Sequence, residues 1–363
     1  MRILVVNWRD LTHPRAGGAE VYTHEITAAW ARAGHQVTWF SAAVTGHPER
    51  EVIAGVAHVR RGGRFTVYRQ ARRFYESEGR GRFDLVIDEV NTRPFLTPRY
   101  VDDAHVVALI YQVCREIWFY EMPWPVAVVG RFWLERRWLG RYRDVPVLTV
   151  SDSSRQSLQA YGLQRVSLVS EGIATTVRPR GVLREQAPTV LFVGRLSANK
   201  RPADALEAFA RLRESMPDAQ MWVVGTGPLH ARLAARAPVG VTFFGRVSEE
   251  CKRDLMARAH VLVVTSVREG WGLVVDEAAA MGTPTIAYDV AGLRDSVAAA
   301  GGVLVAPHPI SLADALAQWL PTRVTRASPT GWAGGARPWG AVAEEFLAQA
   351  WPREPAAIRE CAP

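Results

Sequence analysis

The stretch that most constrains this chain runs from Val261 to Asp289, VLVVTSVREGWGLVVDEAAAMGTPTIAYD. It opens with a short apolar, β-branched run that suits a buried parallel strand. Gly270 and Gly272 flank Trp271 in the turn that follows, and an alanine-rich helix then closes at Gly282, Thr283 and Pro284. Thr285 to Tyr288 supplies the next strand, so the stretch reads as one βαβ unit. Two carboxylates stand at the head of its helix. Glu269 lies in the loop and Glu277 eight positions later, on the helix. A buried carboxylate is costly unless it is paired or hydrogen-bonded. Two of them behind glycines, near a helix N-terminus, suit a sugar-nucleotide cradle. The N–H groups of Gly272, Leu273 and Val274 would face an anion, and the acids would take ribose and hexose hydroxyls. One capping acid and one solvent-facing acid would give the same spelling, because acids favour helix starts.

The segment resembles the E-x7-E signature of retaining glycosyltransferases of family 4, with Glu269 as the first acid and Glu277 as the second. The surrounding EGWGL and the later GTP fit that family as well. Three further segments carry the likeness, in the family's order. Near the start, strand Ile3–Asn7 leads into WRDLTHPRAGGAE and a helix. This lacks the G-x-G-x-x-G dinucleotide fingerprint, but Gly17 and Gly18 let the backbone approach a ligand before a helix N-terminus. A tight turn without a ligand would need the same residues. The pattern RD-x-x-HP-x-x-GGAE resembles the family's N-terminal glycine loop. Further on, strand Thr189–Val193 runs into GRLSANKR, where Arg195 and Lys200 are placed to hold a diphosphate. This resembles the family's GR-L-x-x-x-K motif. A solvated basic loop is the competing reading. The turn at Gly245, Arg246 and Val247 sits beside the nucleotide base in relatives, which makes Arg246 and Val247 base-side candidates.

The resemblance implies an α/β chain of the GT-B architecture: two Rossmann-like, doubly wound domains facing across a cleft. The acceptor would lie on the N-terminal side and the sugar nucleotide on the C-terminal side. Expected boundaries are 1–173 for the first domain, 174–187 for an Arg-, Pro- and Gly-bearing linker, and 188–340 for the second domain. A helix over 341–351 would cross back to the first domain, followed by a flexible tail, 352–363. The implied reaction moves a sugar from a nucleotide-diphosphate sugar to a hydroxyl of a saccharide or natural product, with retained anomeric configuration. Arg195, Lys200 and the Gly17 and Gly18 amides would steady the departing diphosphate. Glu269, with Gly270, Trp271, Gly272, Leu273 and Val274, would hold the donor sugar, and Glu277 the ribose. No metal and no cofactor beyond the sugar nucleotide is expected, since cations and helix N-termini serve the leaving group in this fold. Strand C-termini line the crevice of open α/β sheets, so Asp88, Glu89, Asn91 and Tyr111 are acceptor-side candidates, as are His13 and Glu20 in the glycine loop. Many relatives carry histidine where Tyr111 stands, so a histidine-assisted acceptor contact is not transferred. Two rivals use the same scaffold: a sugar-nucleotide epimerase or hydrolase, and a non-catalytic sugar-nucleotide-binding subunit. A donor-only assay separates the first, and an incomplete acceptor side would mark the second.

Composition narrows this further. A length of 363 residues suits two domains. No apolar run reaches the roughly 18 residues of a membrane helix. The start reads as a strand and not as a signal peptide. Three scattered cysteines make neither a disulfide framework nor a zinc site, so a cytoplasmic location is expected. The net charge is +8, yet of 44 basic residues only Lys200 and Lys252 are lysine. A chain so biased toward arginine makes each lysine informative. No motif points to nucleic acid. The oddest segment is Trp118–Arg143, which interleaves Trp118, Trp124, Trp133 and Trp138 with Arg131, Arg136, Arg137, Arg141 and Arg143. It suits either a helix lying on an anionic membrane or a core helix with outward arginines. Helical spacing mixes aromatic and basic residues on one face, which favours the core or cleft reading, with Trp133 and Leu134 or Trp138 and Leu139 turned inward.

Overall fold

The computed structural model describes residues 1–173, 182–324 and 337–351. Most of the expected linker, part of the Gly- and Pro-rich stretch before the last helix, and the tail lie outside the described residues. Eight strands form the first sheet: β1 (Arg2–Val6), β2 (Gln36–Ser41), β3 (Arg50–Ile53), β4 (Val56–Arg60), β5 (Leu85–Glu89), β6 (His105–Leu109), β7 (Val147–Thr149) and β8 (Val166–Leu168). Their order is β3-β4-β2-β1-β5-β6-β7-β8. Only β3 pairs antiparallel, with β4. Six parallel strands form the second sheet: β9 (Thr189–Val193), β10 (Gln220–Val224), β11 (Val241–Gly245), β12 (Val261–Val264), β13 (Thr285–Tyr288) and β14 (Val303–Val305), in the order β11-β10-β9-β12-β13-β14. The central strands are continuous apolar runs because helices cover both faces. Every residue of β5 and of β12 is buried. The molecule is thus two open, doubly wound sheets, and the loops leaving the C-terminal ends of β1, β5, β6, β9, β11 and β12 meet at one cleft.

The last described helix, Trp339–Ala350, lies on the first domain. Trp339, Val342 and Phe346 belong to the same buried cluster as Ile3, Tyr22 and Trp30. The Trp30 indole donates to the Ala343 carbonyl at 2.8 Å.

The Trp- and Arg-rich segment is a chain of short turns: helices Ile117–Glu121, Trp124–Val129 and Glu135–Leu139, joined by a π-helical turn at Gly130–Leu134. Its inward side is made by Ala127, Gly130 and Leu139, with Trp138 against Trp118 at 6.4 Å between ring centres. A Cβ on Gly130 would stand 2.3 Å from the Trp118 ring, so only glycine lets the turn close there. Of the two inward pairs expected, Trp138 and Leu139 is the one that packs, while Trp133 is 57% exposed. The π-helical turn accommodates the inward Gly130 and leaves the indole on the open side.

Candidate active site

The cleft between the sheets has a volume of about 740 Å³ and is lined from both domains. Its donor-side wall is built by the turns after β9, β10 and β12. A Cβ on Gly225 would lie 2.0 Å from the Gly194 carbonyl oxygen, so this glycine permits the β9 and β10 turns to touch. The 3-10 turn Ala198–Lys200 is pinned to the β12 loop, where Thr265 donates to the Lys200 and Arg201 carbonyls, each at 2.9 Å. Lys200 is thereby held beside Glu269 and pairs with its Oε1, which also accepts from Ser266 Oγ at 2.6 Å. Gly292, at φ +83°, lets this loop pack, since any Cβ there would meet the Glu269 carbonyl oxygen at 2.2 Å.

Glu277 lies on helix Leu273–Ala280, whose N-cap is Gly272 at φ +102°. Burial raises its pKa against the opposing charge of Lys252, whose Nζ stands 3.0 Å from Oε1. Burial works against the Lys252 ammonium in turn, but Glu277 and Glu249 outweigh it and raise its pKa. Glu249 is 2.8 Å away. The chain's two lysines therefore each hold one acid of the E-x7-E pair. Lys252 was missed as a site residue, although its rarity was the available signal.

Across the cleft, the loop after β1 presents Arg9, His13 and Arg15. Burial and the Arg195 charge lower the Arg15 pKa. Its Nε is a buried donor without a partner. Neither Arg15 nor Arg195 has a carboxylate partner among the described residues. Two cations from opposite domains thus face one cleft, neither in an ion pair among the described residues, which is the electrostatic form of an anion seat. Sequence reasoning missed Arg15 because nothing in its spacing shows that β9 will stand opposite. His13 also lines the cleft; burial and the nearby Arg9 and Arg15 charges lower its pKa, favouring neutral imidazole. Arg246 donates to the Pro14 carbonyl at 3.1 Å and so bridges the domains beside Val247. A recess of about 300 Å³ lies between Arg15, Arg195, the Gly225–Gly227 turn and Val247.

The two loop glycines play different parts. The Gly17 amide already donates to Glu20 Oε2 at 2.7 Å, so it is occupied before any ligand arrives. Gly18 is the interdomain glycine: a Cβ there would be 3.3 Å from Leu273 Cδ1 of the second domain. Its own amide is in the helix's first turn and has no intrahelical acceptor.

Of the acceptor-side candidates, His13, Glu20, Asn91 and Tyr111 line the cleft, while Asp88 and Glu89 are buried away from it, and the polar groups of Glu20 and Tyr111 are engaged within the first domain. Glu20 is fully buried and engaged by Arg9 at 2.8 Å as well as by Gly17. Asp88 is fully buried and accepts from Thr97, Phe95 and Tyr142, which fixes the 95–97 turn and keeps the carboxylate out of the cleft. The Tyr111 hydroxyl points into the first domain, 3.1 Å from Thr23 Oγ1 and from the Ala19 carbonyl. Its carbonyl instead faces Gly270, where an added Cβ would come within 3.0 Å. Asn91 does line the cleft and donates to Asn7 at 2.9 Å. Trp271 and Leu273, expected at the donor sugar, line the cleft but also pack on the first domain's core. The Trp271 indole donates to Asp276 at 2.5 Å, and burial raises the Asp276 pKa to about 6. Glu171, also unforeseen, lines the cleft with a buried Oε2 that has no partner. Burial, reinforced by Asp276, Glu269 and Glu277, pushes its pKa well above the usual carboxylate range.

Two doubly wound sheets closing on a polar, cation-lined cleft are the GT-B architecture. Comparison with known proteins agrees. Residues 16–177 match the family model described as Glycosyltransferase Family 4, and residues 174–330 the one described as Glycosyl transferases group 1. A glycogen synthase of Mycobacterium tuberculosis is 27% identical over 349 residues, covering 86% of this chain and 84% of that one. A D-inositol 3-phosphate glycosyltransferase of Geodermatophilus obscurus is 34% identical over 188 residues, 45% of this chain and 42% of that one. Among solved structures, sucrose-phosphate synthase from Thermosynechococcus elongatus superposes with a TM-score of 0.73 at 20% identity over 96% of both chains. The chain belongs to the group 1, family 4 glycosyltransferases.

Proposed function

We propose that this glycosyltransferase takes a sugar from a nucleotide-diphosphate sugar and transfers it to a hydroxyl acceptor with retained configuration and without a metal. The observation that carries the donor assignment is the Arg15–Arg195 pair, two cations facing one cleft, neither in an ion pair among the described residues. A diphosphate seated there would also reach Lys200 and the Gly18 amide. These are fixed charges and dipoles where negative charge builds as the bond to the leaving phosphate breaks. Charge neutralisation by arginine and lysine supports metal independence. The Gly225–Gly227 recess beside Val247 suits the base, Glu277 the ribose, and Glu269 with the Gly270–Val274 turn the sugar. The acceptor hydroxyl would enter past His13 and Asn91 and attack on the face the diphosphate leaves, its proton passing to a phosphate oxygen. We place the reaction in the cytoplasm, in keeping with the unpaired Cys114 and Cys251.

The test is a thermal-shift screen of nucleotide sugars, followed by NMR of the product anomer. A ligand at a hundred times its Kd stabilises by about 2.7 kcal/mol. A positive donor whose product has inverted configuration would overturn the stereochemical reading, and the absence of any stabilising nucleotide sugar would overturn the donor reading.

A further inference from the structure

The turn-rich segment beside the cleft leaves an apolar face uncovered. Trp124 is 72% exposed, Phe132 65%, Trp133 57%, and Val126 and Val129 about half. Val126, Val129, Phe132, Trp133, Arg136 and Arg137 are all exposed, while Ala127, Gly130 and Leu139 are buried. Along the chain the exposed apolar residues come first and the arginines follow. Arg136, Arg137, Arg141 and Arg143 are exposed and form no ion pair among the described residues. Arg137 lies over the Trp133 ring, 5.4 Å from its centre. Such a patch is large and contiguous for an ordinary soluble surface. Its make-up, aromatic side chains flanked by unpaired arginines, is that of an interfacial helix on anionic lipid. It also borders the site, since Glu121, in the same segment, lines the cleft.

We infer that the exposed face of residues 124–137, with Arg141 and Arg143, docks on an anionic membrane surface and presents the cleft to a hydroxyl acceptor held in that membrane. A second copy of the chain is the weaker occupant. Two-fold pairing sets a patch against itself, which would bring these arginines against their duplicates with no acid to receive them. The acceptor part rests on the glycosyl-transfer reading above; the docking part does not.

The experiment is sedimentation of the full chain with vesicles of phosphatidylglycerol and of phosphatidylcholine at low and high salt. We expect binding to phosphatidylglycerol only, falling at least tenfold between 50 and 500 mM salt, roughly as screening demands. Trp124→Ala with Trp133→Ala should lower partitioning about tenfold or more. Arg136→Gln and Arg137→Gln should each lower it about fivefold. All four side chains are exposed, so these variants keep the fold, and an unchanged nucleotide-sugar thermal shift verifies that the donor site is intact. No binding to phosphatidylglycerol at low salt, equal binding to both lipids, or binding indifferent to these substitutions would overturn the inference. So would a concentration-dependent dimer abolished by the same changes. Failure of the unsubstituted protein to respond to any nucleotide sugar would instead strike the glycosyl-transfer reading and leave the docking result standing.

Discussion

Lys252 stands 3.0 Å from Glu277 and so joins the helix that follows Ser248 to the helix that follows Gly272. A ligand that takes Glu277 by its hydroxyls competes with, or shares, this ammonium.

Lys252→Met should therefore act twice. It leaves Glu277 without its charge partner, costing about 2 kcal/mol of stability, and it weakens donor binding. Urea unfolding and donor titration check the two effects separately. Glu277→Ala should weaken donor binding while the protein stays folded; normal binding by that variant would remove Glu277 from the ribose site.

Arg15→Ala and Arg195→Ala should each lower kcat by about 100-fold or more, because charge on the diphosphate is greatest as it leaves. Lys200→Ala should behave alike. Neither arginine forms an ion pair among the described residues, so melting temperature should hardly move for those two. A rise in KM with kcat untouched would mark them as ground-state anchors.

Transfer should survive exhaustive chelation. Activity lost to EDTA and restored by magnesium or manganese would sink the metal-free reading.

Glu89 gives a pH test. Burial raises its pKa to about 8 within a cluster of Asn7, Thr23, Tyr111 and the nearby Glu20 charge. Between the ordinary carboxylate range and pH 8 the folded protein holds a proton that the unfolded chain has released. Stability should consequently fall as pH rises through that window, by up to about 1.4 kcal/mol per pH unit. Glu89→Gln keeps the size and one acceptor oxygen of the side chain and removes the titration. Melting temperatures at pH 5 to 8 should be flatter in the variant; an identical slope would show that Glu89 ionises normally.

Gly270→Val places a side chain against the Tyr111 carbonyl and should hold the domains apart. Donor-induced stabilisation should largely persist while kcat falls steeply. Full activity would mean that this contact is dispensable.

The class of fold was legible because it depends on local pattern: buried apolar strands, glycine turns and amphipathic helices, all read within a few residues. Arg195, Lys200, Glu269 and Glu277 were legible as a set because each follows a recognisable turn. The partners of these residues were not. Arg15 faces Arg195, and Lys252 meets Glu277, only because two loops far apart in the chain end on the same cleft. Tyr111 and Asp88 sit at strand ends, as expected of crevice residues, yet their side chains turn into the domain interior, and strand position alone does not decide which way a rotamer points. The choice between Trp133 and Trp138 as the inward indole was open for a related reason. A single extra residue in the π-helical turn rotates every later side chain, and an ideal helical wheel does not contain it.

The helix Trp339–Ala350 has a consequence for how the protein is made. Trp339, Val342 and Phe346 complete a core whose other members, such as Ile3 and Trp30, leave the ribosome first. The first half of the molecule is thus synthesised with an open seam, and nearly half of the chain must follow before the piece that seals it exists. During that interval the nascent first domain exposes greasy surface around Tyr22 and Trp30, and truncation shortly before Trp339 would leave it exposed for good. Premature stop codons late in the gene should therefore produce insoluble protein, even though every strand of both sheets has already been translated.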